Sequence, residues 1–175
     1  MNRKSSQHTR VRRPRIAIDA MGGDGGVATT VAAAVKLASV ADLILVGDAN
    51  EIRAALGTDN DNISVQHAGE VVAPTDTLVD VLRHKPDSSM RQALELHARG
   101  RVDGVVSGGD TGALMALARQ QLHMVPGIER PAILKKIEGV SRQLLDTRSW
   151  CQHRLQPGTV VAIHADGVPP GKQPR

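Results

Sequence analysis

Twice in this chain a short aliphatic run ends directly in a glycine-rich loop that opens into a helical stretch. Ile16 to Asp19 leads into Met21-Gly-Gly-Asp-Gly-Gly26, and Val102 to Val106 leads into Ser107-Gly-Gly-Asp-Thr-Gly112. A strand followed at once by a helix cannot close a hairpin, so the next strand is reached by a crossover and pairs in parallel. The stretch between the loops keeps the same alternation. Val27 to Ser39 reads as an Ala-rich helix, Leu43 to Val46 as a strand ending in Gly47-Asp48, and Asn50 as the cap of a short helix through Leu56. Asn62 to His67 reads as a third strand. After the Pro74 turn, a short helix carries Leu78, Val79, Val81 and Leu82. Asp87-Ser88-Ser89 offers N-cap chemistry for a helix to about Arg99, closed by Gly100, and a last helix is expected from Ala113 to about His123. The pattern predicts a doubly wound α/β domain with a mostly parallel sheet covered on both faces. No internal repeat is visible.

The core of such a domain must here be built without large rings. The 175 residues include no Phe or Tyr and one Trp, so Val, Ile, Leu and Ala carry the packing and no aromatic platform exists for stacking bases. The net charge of +4 resides at the ends. Arg3, Lys4, Arg10, Arg12, Arg13 and Arg15 precede any acid, residues from Thr147 onward hold four basic groups and one acid, and the remainder carries 12 basic against 17 acidic groups. Residues 1 to 14 are therefore expected to form a disordered basic arm rather than a nucleic-acid-binding surface. A lone Cys151, no run long enough to span a membrane and no signal-peptide core lead to the expectation of a cytosolic protein.

Both glycine-rich loops fall at the C-terminal ends of predicted parallel strands, where this architecture binds ligands. Helix N-termini there offer unpaired N–H groups and the positive end of a dipole, and glycines allow close approach of a phosphate. A rival reading comes from Gly23, Gly25 and Ala28, which fit the relaxed dinucleotide fingerprint G-x-G-x-x-A, with Asp48 about 20 residues on. Against a bound pyrophosphate, Asp24 places a carboxylate inside that loop. His67, His84, His97 and His123 lack zinc-ligand spacing and cysteine partners, so no metal is expected. No P-loop or nucleophile elbow is present.

Four ordered segments resemble the bacterial phosphate acyltransferase family. They are Ile16-Ala-Ile-Asp-Ala-Met-Gly-Gly-Asp24, Asp87-Ser-Ser-Met-Arg91 with Ala93-Leu94, Ser107-Gly-Gly-Asp-Thr-Gly-Ala113 with Leu114-Met115, and Gly127-Ile-Glu-Arg-Pro-Ala132. The resemblance implies a Rossmann-like fold of the isocitrate/isopropylmalate dehydrogenase type, present here incompletely. It implies a reaction in which inorganic phosphate attacks the thioester of an acyl carrier protein, with no cofactor. It further implies, for the family's full-length proteins, a homodimer with peripheral membrane contact. On that basis phosphate positioning falls to Gly22, Gly23, Ser107, Gly108, Gly109, Asp110, Thr111 and Gly112. Asp19 and Asp24 are expected to orient groups around the site or to cap turns. Two other classes stay open: a nicotinamide-dependent oxidoreductase, and a fragment that binds the carrier protein without turnover.

The chain departs from the family pattern in two places. The family's loop Ser-Ala-Gly-Asn-Thr-Gly here carries Gly108 and Asp110, and the likeness fades after Arg130-Pro131-Ala132, where a further expected Pro is absent. Residues 15 to 146 are thus expected to form a partial acyltransferase domain, and residues 147 to 175 a non-globular tail. Reading the tail one base further on, with codons allowed for Thr147-Arg-Ser-Trp150, spells Leu-Gly-Ala-Gly and then a segment similar to the family's continuation. The expectation is an out-of-frame tail and a truncated product whose activity is left open.

Overall fold

The computed structural model describes residues 12–122, 133–138 and 143–148. Eleven elements follow in chain order. They are β1 (Arg15–Asp19), α1 (Gly26–Leu37), β2 (Asp42–Gly47), α2 (Ala49–Leu56), β3 (Ile63–His67), α3 (Leu78–Arg83), α4 (Ser89–Ala98), β4 (Gly104–Ser107), α5 (Thr111–Gln121), β5 (Ile133–Glu138) and β6 (Gln143–Arg148). The first four strands form one sheet in the order β3-β2-β1-β4, with every pairing parallel. β5 and β6 form a separate antiparallel pair, Ile133 opposite Arg148 and Glu138 opposite Gln143.

Side chains alternate across the sheet with the period of a strand, and both faces are apolar. Ile16 and Ile18 of β1, Leu43 and Leu45 of β2 and Val106 of β4 face a cluster with Val31, Ala34 and Ile52 of α1 and α2. Ala17, Ile44, Val46 and Val105 face the other cluster, built from Val81, Met90, Ala93, Leu94, Leu114 and Leu117 of α3, α4 and α5. The doubly wound reading therefore holds: α1 and α2 cover one face and the later helices the other. Fully buried Leu45, Ile52, Met90, Leu94 and Leu117 take the place of aromatic residues, each contributing about 2 kcal/mol of transfer free energy. Alanine at 17, 34 and 93, all 0% exposed, lets helix and sheet approach closely enough to fill the space without rings.

Local chemistry accounts for the element ends, and it moves two of them from the positions expected. Asp48, not Asn50, is the N-cap of α2, its carboxylate accepting from Asn50 N at 2.8 Å and Glu51 N at 3.0 Å. Helix α5 begins at Thr111 rather than Ala113, because Asp110 caps it and accepts from Ala113 N at 2.7 Å. In both cases the carboxylate follows the strand end closely, so the chain turns into helix sooner than apolar periodicity alone suggests. Thr77 and Asp80 form a reciprocal capping box that starts α3.

At the N-terminal end of the sheet, Asp103 accepts from Arg15 N at 2.8 Å and pairs with Arg12. Arg13 lies 3.3 Å from Asp42 and donates to the carbonyls of Ala38 and Ala41. The last residues of the basic segment are therefore bonded to the sheet. The rest of the expected arm, residues 1–11, the last expected helical residue His123, and the tail beyond Arg148 lie outside the described residues.

Candidate functional site

The chain leaves β1 in one direction, through β2 to the edge strand β3, and then returns to place β4 on the opposite side of β1. The gap between the carboxyl ends of β1 and β4 is the topological switch point, the position at which open α/β sheets bind ligands. Both glycine-rich loops begin there. The one after β1 opens into α1, whose N-cap Gly25 provides no side-chain bond, and the one after β4 opens into α5.

The loops touch backbone to backbone. A Cβ added at Gly22 would lie 2.6 Å from Asp19 Oδ2 and 2.8 Å from Gly109 N, and one at Gly108 would lie 3.3 Å from Gly22 O and 3.4 Å from Gly23 Cα. Glycine at these positions is required by the loop-on-loop contact itself, whatever binds above it.

Asp19 organises this contact from below. It is 2% exposed at the end of β1. Its Oδ1 accepts from Met21 N at 3.2 Å, Gly22 N at 3.1 Å and Ser89 Oγ at 2.6 Å, and its Oδ2 accepts from Ser107 Oγ at 2.6 Å. Ser107 in turn accepts from Gly109 N at 3.1 Å. A buried carboxylate requires such partners, and here four donors supply them.

All ten residues expected at a phosphate site sit on these two loops or at the strand and helix ends that flank them, in different states. Asp19, Gly22, Ser107 and Gly109 are engaged in the buried network, so the N–H groups of Gly22 and Gly109 are already bonded. Asp110 turns its side chain back onto α5 as the cap. The N–H groups of Gly23, Asp24, Gly108, Thr111 and Gly112 and the Thr111 hydroxyl have no partner among the described residues. Asp24 is exposed. The chemistry on offer is a set of neutral donors at two helix starts, suited to an anion.

Ser89 is the residue that sequence reasoning missed. Asp87-Ser88-Ser89 carried a capping signal, and Ser88 occupies the N-cap position of α4 but makes no side-chain cap bond, its hydroxyl donating to Lys85 O. Ser89 itself reaches across 70 residues to Asp19, a relation with no local signature.

The ribose-binding part of the dinucleotide fingerprint is committed elsewhere. Asp48 is held below its ordinary carboxylate pKa by the N–H bonds from Glu51 and Asn50, the same bonds that make it a cap. Met21 packs over Gly47, where a Cβ would lie 2.6 Å from its Cγ, and its sulfur accepts from Asp48 N at 3.4 Å. Away from the loops, a groove of about 590 Å³ runs between the C-terminal end of α2 and β3, lined by Arg53, Leu56, Asn60 and Ile63 among others. It shares no residue with the switch point. Among the described residues no group of three His, Cys, Asp or Glu side chains could hold a metal ion, and no helix is long and apolar enough to cross a membrane.

Comparison with known proteins bears on residues carrying this site. The family described as "Fatty acid synthesis protein" matches residues 14–147, which contain both loops, Ser89 and every strand of the parallel sheet. The chain belongs to this family. Among its relatives, a protein named "Phosphate acyltransferase" from Vibrio atlanticus (strain LGP32) is 39% identical over 160 residues, covering 87% of this chain and 45% of the relative. Proteins of the same name from Halorhodospira halophila and Herminiimonas arsenicoxydans are 39% identical over 173 residues and 46% identical over 126 residues. These alignments cover 91% and 68% of this chain, and 50% and 35% of the relatives. The chain thus spans about half or less of the length of the curated relatives it matches. The family assignment accords with the four ordered segments and with the doubly wound fold.

Proposed function

We propose that this chain presents the phosphate half of an acyltransferase site, in which inorganic phosphate is held at the switch point and attacks the thioester of an acyl carrier protein. The observation that carries the reading is the meeting of the two glycine-rich loops across the β1–β4 gap, with Gly23, Asp24, Gly108, Thr111 and Gly112 leaving unbonded N–H groups there. The relatives' name supplies the reaction class.

In that reaction a phosphate oxygen forms a bond to the thioester carbonyl carbon and the C–S bond breaks. The carrier's sulfur leaves as thiolate and takes up a proton from water. Phosphate is already a nucleophile, so the protein's work is to position it and to stabilise the developing oxyanion with backbone donors. No cofactor is required. In this reading the Thr111 hydroxyl binds a phosphate oxygen, and Asp19 acts from beneath by holding the loops rather than by touching the anion. The homodimer and the peripheral membrane contact of the family's longer proteins belong to the same proposal.

The proposal includes an out-of-frame origin for residues 147 to 175. The family match stops at residue 147, whereas the Halorhodospira alignment, covering 91% of the chain, runs beyond it. The coding DNA decides: a nucleotide sequence unable to spell the alternative frame ends that part of the reading.

The functional test is acyl phosphate formation from an acyl carrier protein thioester, with and without inorganic phosphate. It compares this chain with one restored in frame after Asp146. Phosphate-dependent product from either supports the reading. Carrier binding without product by both would make the chain a binding fragment. Stabilisation by a nicotinamide dinucleotide but not by phosphate would move the site to the oxidoreductase class.

A further inference from the structure

We infer that Ser89 is a positioning residue for the phosphate site, joining the start of α4 to both glycine-rich loops through the Asp19 carboxylate. The inference rests on the phosphate reading above and adds to it a residue from a third element.

Ser89 is 1% exposed. Its hydroxyl donates to Asp19 Oδ1 at 2.6 Å, the same oxygen that receives the N–H groups of Met21 and Gly22. The other oxygen of Asp19 receives Ser107, which receives Gly109 N. One carboxylate therefore fixes the first loop by two backbone bonds and the second through a serine, while Ser89 fixes the carboxylate. Ser89 N also donates to Glu70 O at 3.0 Å, so the residue is anchored on its own side by backbone. With that anchor the side chain has little freedom to follow Asp19 if the carboxylate rotates. Removing the hydroxyl frees one lone pair of a buried carboxylate, and the carboxylate then turns toward its remaining donors. Gly22 and Gly109 shift with it. The donors at Gly23 and Thr111 follow, because displacements of well under 1 Å at a preorganised site are enough to lose hydrogen-bond geometry.

Ser88 provides the control. It is equally buried, at 0% exposed, but its hydroxyl donates to Lys85 O at 3.1 Å and not to Asp19. Two measurements on the full chain separate the positioning role from general destabilisation. Titration calorimetry with inorganic phosphate is expected to show S89A weakened by about tenfold, and S88A within about twofold of the parent. Amide hydrogen exchange, without phosphate, is expected to show faster exchange at Gly22 and Gly109 in S89A and unchanged exchange there in S88A. If S89A does not fold, the near-isosteric S89C, with its weaker donor, should show the same pattern at reduced size.

The exchange result distinguishes the two readings. A parent chain that fails to bind phosphate, but whose S89A variant loosens Gly22 and Gly109, would remove the phosphate reading and leave the Asp19–Ser89 coupling as a structural one. Equal phosphate affinity in S89A and S88A, or equal exchange at both glycines, would overturn the inference.

Discussion

The two glycine-rich loops look alike in sequence and do different physical work. The loop after β1 turns its first donors inward: Met21 N and Gly22 N both bond Asp19, and its glycines clear the way for the second loop. The loop after β4 instead opens α5 with its own carboxylate, Asp110, bonded to Ala113 N, and leaves Thr111 without a partner among the described residues. One loop is a foundation whose helix α1 starts without a side-chain cap, and the other starts α5 under its own carboxylate. Glycine content therefore reports a tight strand-to-helix junction, while the neighbouring acids decide whether its donors face the protein or a ligand.

The strongest way to break this asymmetry is to remove the foundation. Asp19→Ala leaves two buried hydroxyls and two backbone N–H groups without their acceptor, and is expected to destabilise the chain by about 3 kcal/mol, measured by urea unfolding. A loss below about 1 kcal/mol would mean that the network reorganises and that the loops are held by their glycine contact alone. That contact is tested by Gly22→Ala, which drives a methyl to 2.6 Å from Asp19 Oδ2 and 2.8 Å from Gly109 N. The expected cost is about 2 kcal/mol. Gly26, in the same loop, has φ +66° and open space around its Cβ position. Gly26→Ala should cost only the left-handed backbone penalty, about 1 kcal/mol. Equal losses at the two glycines would place strain, and not loop contact, as the common cause.

The frame around these loops was largely legible in the sequence, and their interior was not. Strand–loop–helix alternation located β1 to β4, because both faces of the sheet are covered and β1, β2 and β4 read as largely apolar runs, while the edge strand β3 alternates. Where the reading slipped, at Asn50 and Ala113, the helix was started by an acid placed just beyond the strand, a signal competing with apolar periodicity. A different signal, the Thr77–Asp80 capping box, gave α3 its start. The bonds from Asp19 to Ser89 and Ser107 span 70 and 88 residues, and no spacing rule could pair them. The ten candidate positions were found through their loops, while the division between bonded and unbonded N–H groups came only with the three-dimensional contacts.

Asp110 separates stability from binding on the second loop. Asp110→Ala removes the cap and is expected to cost about 1 kcal/mol. Asp110→Asn keeps an oxygen for Ala113 N and should leave stability within a few tenths of a kcal/mol of the parent. It also removes a negative charge beside the free Thr111 and Gly112 donors, so phosphate affinity should rise about twofold to fivefold at low salt, and less at high salt. Calorimetric titration at two ionic strengths reads both effects. An unchanged affinity in Asp110→Asn would place the anion away from the start of α5, against the first loop.

Acid should act on the frame through four carboxylates. Asp103 is held below its ordinary pKa first by the N–H bond from Arg15, Asp76 by Lys85, Asp80 by the Thr77 hydroxyl and Asp48 by the Glu51 N–H. None of the four lies on a glycine-rich loop. Because each folded-state pKa is lower than the unfolded value of about 3.9, each contribution is complete above that pH and is lost as pH falls through the folded value. The urea midpoint is therefore expected to stay level from these groups between about pH 7 and 5 and to decline below about pH 4. Solvent exposure keeps the decline shallow. Asp103→Asn, which keeps an oxygen for Arg15 N but removes the charge paired with Arg12 and the titrating group, should lower the midpoint slightly at neutral pH and flatten the acid limb. A variant whose acid limb keeps the parent's slope would show that Asp103 does not contribute to it, and that the titration belongs to Asp48, Asp76 and Asp80 near the other end of the sheet and in α3.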